Sequence, residues 1–124
     1  MSMNKDLGEI RAAAQQLHGA ISDAAAKHGG AVRADLEAVG HQAKAVTESV
    51  KASIVEQNNA TKKHLKEAVT DLEGVQKHVA EALKSSGHAF QGSIRKTLAD
   101  ARASVQKVSE AVAAKRSAES TKTH

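Results

Sequence analysis

The chain has 124 residues, enough for one domain, but no Trp, no Tyr and one Phe, Phe90, so the large side chains that usually fill a core are nearly missing. Its 18 Lys and Arg against 14 Asp and Glu give a net charge of +4. That mild excess, with a single aromatic residue and no recognition motif, is not the pattern of a dedicated nucleic-acid binder, and specific nucleic-acid binding is not expected.

Proline is absent, and Ala, Lys, Glu, Gln and Leu are frequent, residues that lose little on entering a helix. The fold class expected is all-α. With no Cys there is no disulfide framework. No apolar run reaches the length of a signal peptide or a membrane span, so a cytoplasmic location is expected, peripheral on a granule or membrane surface if the chain coats one.

The chain divides at Gly29-Gly30, at Asn58-Asn59 and over Ser85 to Ser93 into four stretches of roughly 26 residues, as in an up-down bundle. The first stretch carries Leu17 and Ile21 on one face. The second continues with Val32, Val39, Val46, Val50 and Ile54, and the third with Leu65, Leu72, Val79 and Leu83. The fourth adds Phe90, Ile94, Leu98 and Val105.

These positions share an eleven-residue spacing. The leading column reads Leu17, His28, Val39, Val50, Thr61, Leu72, Leu83, Ile94 and Val105, with seven of nine aliphatic. Eleven residues close three turns at about 3.67 residues per turn, so the stripe runs nearly straight along a helix. It fills an arc of roughly 130°, the width of an ordinary amphipathic face. Since the phase survives every break, long helices are expected rather than independent ones.

The architecture expected is therefore a helical hairpin or an elongated four-segment bundle, oligomeric, over residues 1–116. Its turn falls at 58–59, dividing the chain into near-equal arms, with kinks at 29–30 and 85–92. Residues 117–124, which lack the stripe, are expected to fray.

Charge is sorted about the same axis. Arg33, Lys44, Lys66 and Lys77 fall in one column beside the apolar arc, and Lys51, Lys62, Lys84 and Arg95 in the next. Glu37, Glu48 and Glu81 fall opposite. Such a pattern suits a solvated helix face with supporting ion pairs. It equally suits an interfacial helix whose lysines reach back to an anionic boundary.

Catalytic signatures are missing. No His is preceded three residues earlier by Glu, and no His-Glu-x-x-His run, phosphate loop or nucleophile elbow occurs. Glu37 and His41 share a helix face, but two ligands rarely hold a metal. A non-enzyme without cofactor or metal is expected. His28 and His64 fall on the apolar arc, either as tolerated polar interruptions or as contacts that weaken on charging. The run "SIRKTL", Ser93 to Leu98, places basic residues before Thr97 as would suit a basophilic kinase, but such hexamers arise often by chance and a charged helix turn is the preferred reading.

The run "LHGAISDAAAKHGGAVRADLEAVGHQAKAV", Leu17 to Val46, together with the eleven-residue columns, resembles the exchangeable apolipoproteins, including insect apolipophorins. The chain is also similar to the phasins, small helical proteins that coat bacterial polyester granules. The likeness lies in composition and repeat and spans nearly the whole chain. It implies reversible coating of a hydrophobic particle through Leu17, Ile21, Val39, Val50, Leu72, Leu83 and Ile94. The partner expected is a lipid or polymer surface, or a further copy of the chain if the stripe serves a self-associating coiled-coil scaffold.

Overall fold

A computed structural model describes residues 7–26 and 31–122. These form four α-helices: α1 (Leu7–Ala26), α2 (Ala31–Ile54), α3 (Asn59–Leu83) and α4 (Gly87–Lys122). Helix α1 packs on α2 and α4, and α3 packs on α2 and α4, while the backbones of the diagonal pairs stand apart. The four therefore form a ring in chain order, an antiparallel bundle rather than one long hairpin.

Two of the turns are visible in detail. After Ile54 the backbone tightens, with Glu56 N–H donating to Ser53 O and Gln57 N–H to Ile54 O. Asn58 then stands in an extended conformation as N-cap, its side-chain oxygen accepting from Thr61 N–H at 2.9 Å. This satisfies one of the amide groups that a helix start leaves without an intrahelical partner. The reversal thus lies at 55–58, and Asn59 already belongs to α3.

At the end of α3, Lys84 and Ser85 close the last turn through Glu81 O and Ala82 O, and Ser85 Oγ donates to Glu81 O at 2.7 Å. Gly87 follows with φ at +59°, a left-handed conformation that a side chain would strain. The segment 85–92, expected as a kink, instead begins with a reversal at 84–86 and continues as the first turn and a half of α4. The reason is local: the two ends of α3 and α4 are joined by only three residues, and a glycine supplies the conformation that turns them. The second expected kink, at 29–30, lies outside the described residues. Helix α4 continues to Lys122, so positions 117–122, expected to fray, extend it.

Inside the ring the buried positions step by three and four. They are Leu7, Ile10, Ala14, Leu17, Ile21 and Ala24 on α1, and Val32, Leu36, Val39, Ala43, Val46 and Val50 on α2. Helix α3 contributes Thr61, Leu65, Ala68, Leu72, Val75, Val79 and Ala82, and α4 contributes Thr97, Ala101, Ser104, Val108 and Ala111. Alternating steps of three and four make the seven-residue spacing of helices packed at shallow angles. Steps of four, three and four add to eleven, so the sequence columns and these seams select many of the same residues.

Ala, Ser and Thr take up much of the core, most of all along α4. Three buried hydroxyls there and on α2 bond back to their own helix: Thr47 to Ala43 O at 2.7 Å, Thr97 to Ser93 O at 2.8 Å and Ser104 to Ala101 O at 2.7 Å. This local bond satisfies the hydroxyl, so that Thr97 and Ser104 occupy their seams without a partner across them. Each such position contributes less apolar area than a Leu would.

Candidate interaction surface

Ten of the fifteen stripe residues are buried within the bundle: Leu17, Ile21, Val32, Val39, Val46, Val50, Leu65, Leu72, Val79 and Ile94. Ile54, Leu83, Phe90 and Leu98 lie half-buried against that core. Val105 is half-buried beside α1, lining a cleft with Gln15 and His18. The stripe is thus turned inward in the single chain. Among the described residues the one large apolar side chain left exposed is Val55, at 77% and in the α2–α3 turn.

The eight basic positions lie outside, but on more than one face. Arg33, Lys44 and Lys51 are exposed on α2; Lys62 is half-buried and Lys66 and Lys77 exposed on α3; Lys84 is exposed in the turn and Arg95 on α4. A flank that is single in projection along one axis is divided once the chain folds back. Lys51 Nζ lies 3.7 Å from Glu73 Oε2, and both are more than half exposed, so this pair contributes little. Between α2 and α3 a polar cleft of about 310 Å³ is lined by Lys44, Thr47, Glu48, Lys51, Glu73 and Gln76. Gln76 spans it, donating to Thr47 Oγ1 at 3.0 Å.

Arg33 does something the charge pattern does not suggest. Its Nη1 donates to Leu83 O at 2.6 Å and its Nη2 to Ser85 O at 3.0 Å, while its guanidinium carbon stands 5.8 Å from the centre of the Phe90 ring. A cation thus caps the carbonyl end of α3, where the helix dipole is negative, and covers the one aromatic ring.

A cluster of ionic contacts lies on the α3–α4 seam. Lys107 Nζ lies 2.8 Å from Glu67 Oε2, and 4.0 Å from Glu110 Oε2. The hydrogen bond to Lys107 holds the Glu67 carboxyl below the usual range, and the same bond raises Lys107. His78 sits between two carboxylates, with Nδ1 3.3 Å from Glu81 Oε2 and Nε2 3.4 Å from Asp100 Oδ2. His64 Nδ1 approaches Glu110 Oε2 at 3.3 Å without hydrogen-bond geometry. Asp71 lies among these groups. Burial raises its pKa, Asp100 adds to the effect and Lys107 partly opposes it.

This seam escaped the sequence columns because Glu67, His64 and His78 meet Lys107, Glu110 and Asp100 across a reversal that local spacing does not reveal. His28, on the apolar arc in sequence, lies outside the described residues. Thr97, the hydroxyl of the kinase-like run, is fully buried and bonded to Ser93 O. Among the described residues no group of three or more His, Asp or Glu is placed to hold a metal, and no helix is long and apolar enough to cross a membrane. No protein-family model matches the chain, and no curated protein and no solved structure matches it.

Proposed function

We propose that the protein is a non-enzymatic helix bundle that binds an anionic apolar surface, a membrane or a lipid- or polymer-covered granule, by opening so that its stripe turns outward. The observation that carries the reading is the division of the side chains: the stripe faces inward and the basic positions outward, around a core rich in Ala, Ser and Thr. Basic side chains draw the closed bundle to an anionic boundary. The Ala, Ser and Thr positions within that core add little to the closed form, because each contributes little buried apolar area. At the boundary the same stripe exchanges helix contacts for acyl or polymer contacts, and the helices need not unwind. Self-association through the stripe, the alternative use of such a face, would likewise require the bundle to open first.

A disulfide lock tests the opening. A Cβ at Gly40 would stand 3.5 Å from Val79 Cγ1 across the α2–α3 seam, far from the 55–58 turn about which two hairpins would part. The chain has no native Cys, so Gly40→Cys/Val79→Cys forms one defined crosslink. Reduced, the variant should co-sediment with phosphatidylglycerol-containing vesicles as the parent does, and oxidised it should lose most of that binding. Equal co-sedimentation of the two forms would sink the opening mechanism.

A further inference from the structure

Helix α4 holds the charge imbalance of the chain. It carries seven Lys or Arg against three Asp or Glu, a balance of +4, whereas α2 has three of each sign and α3 four of each. Two of the acids on α4 are turned towards α3: Asp100 stands beside His78, and Glu110 beside His64 and Lys107. The side of α4 next to α1 keeps Arg95 and Arg102, both exposed and with no carboxylate partner among the described residues. Seven residues apart, they lie on one face about 10 Å apart along the axis.

The surface beside these two arginines is apolar and concave. A cleft of about 370 Å³ runs along α4 past Leu98, Ala99 and Ala103, between Arg95 and Gln106. A second, of about 290 Å³, shares Arg102 and Gln106 with the first and crosses to Gln15 and His18 of α1. His18 Nε2 is buried there without a hydrogen-bond partner.

We propose that this α1–α4 groove of the closed bundle binds a single anionic amphiphile, an alkyl chain with a carboxylate head. The guanidinium of Arg102 presents a fork that matches a carboxylate in two parallel hydrogen bonds. The chain lies on Leu98, Ala99 and Ala103, and Arg95 adds positive potential along it. An apolar lining with few converging polar groups is the usual make-up of a small-molecule site.

The probe is dodecanoate, held below its micelle concentration and titrated into the full chain, with amide shifts followed by NMR. Butyrate supplies the head without the tail, and dodecyl maltoside the tail without the charge. Dodecanoate should shift amides around His18, Leu98 and Arg102 and bind at least about tenfold more tightly than either control. Arg95→Gln/Arg102→Gln, at exposed positions, should weaken it about tenfold or more, whereas Lys44→Gln/Lys66→Gln should leave it unchanged. The oxidised Gly40→Cys/Val79→Cys form should still bind dodecanoate while it fails on vesicles, which separates this site from the opening mechanism. Unchanged affinity in the arginine variant, shifts centred on α2 and α3, a response to anionic vesicles alone, or loss of dodecanoate from the locked form would each overturn the groove site.

Discussion

Asp100 fits against α3 because residue 74 is glycine. A Cβ at Gly74 would stand 2.6 Å from Asp100 Oδ2 and 3.1 Å from its Cγ, and the same oxygen lies 3.4 Å from His78 Nε2. The missing side chain is a notch that seats the carboxylate beside the imidazole. In an ordinary helix interior Gly→Ala stabilises by about 0.5–1 kcal/mol. Here Gly74→Ala must displace Asp100, so the gain should vanish or change sign. In an Asp100→Ala background it should return in full. Urea unfolding of the four proteins in this cycle measures the coupling, and equal effects in both backgrounds would show that the notch does not matter.

The start of α3 offers two changes of opposite sign only three residues apart. Asn58→Ala removes the cap to Thr61 N–H and should cost about 1 kcal/mol. Thr61→Val should stabilise by a similar amount, since Thr61 is fully buried and its Oγ1 has no hydrogen-bond partner. Thermal melts of each variant check both signs.

Arg33 ties the start of α2 to the α3–α4 turn through Leu83 O and Ser85 O. Lysine retains the charge but cannot reach two carbonyls with a planar fork or stack comparably on Phe90. Arg33→Lys should therefore cost about 1 kcal/mol, close to the effect of Arg33→Ala. Hydrogen exchange should localise the loss, with faster exchange at Leu83 to Phe90 and no change at the opposite end, around Asn58. Full retention of protection in Arg33→Lys would reduce the contact to its charge.

Asp71 and Glu67 impose opposite pH dependences on one seam. Burial raises the pKa of Asp71, so the folded chain holds that proton more tightly than the unfolded chain. Its ionisation therefore destabilises the fold, with no penalty below the unfolded value and the full penalty above the folded one. The hydrogen bond from Lys107 lowers the pKa of Glu67, whose stabilising contribution is present above the unfolded value and lost as pH falls through the folded one. Asp71→Asn should accordingly raise the melting temperature at neutral pH, and Glu67→Gln should lower it. Both differences should shrink towards zero in acid, and melts between about pH 3 and 7 would reveal a wrong sign in either.

Composition and spacing were enough to determine that the chain is helical and which face of each helix is apolar. Both are local properties: no proline interrupts the backbone, and Leu17, Ile21, Leu65 and Leu72 recur at steps that bring them round to one side. Asn58 was legible as a turn signal because its side chain acts on the backbone three residues away. The reversal at 84–86 was not, since Ser-Ser-Gly marks a kink as well as a turn and the apolar phase continues beyond it. Tertiary structure alone decided that the stripe closes upon itself, that Arg33 caps α3, and that Lys107 meets Glu67 forty residues away in sequence. An apolar face has the same pattern whether it covers lipid, a second chain or its own neighbours. The hydrophobic effect that drives its burial has no direction, so the pattern requires that the face be covered and leaves the choice of cover to the packing of the whole chain.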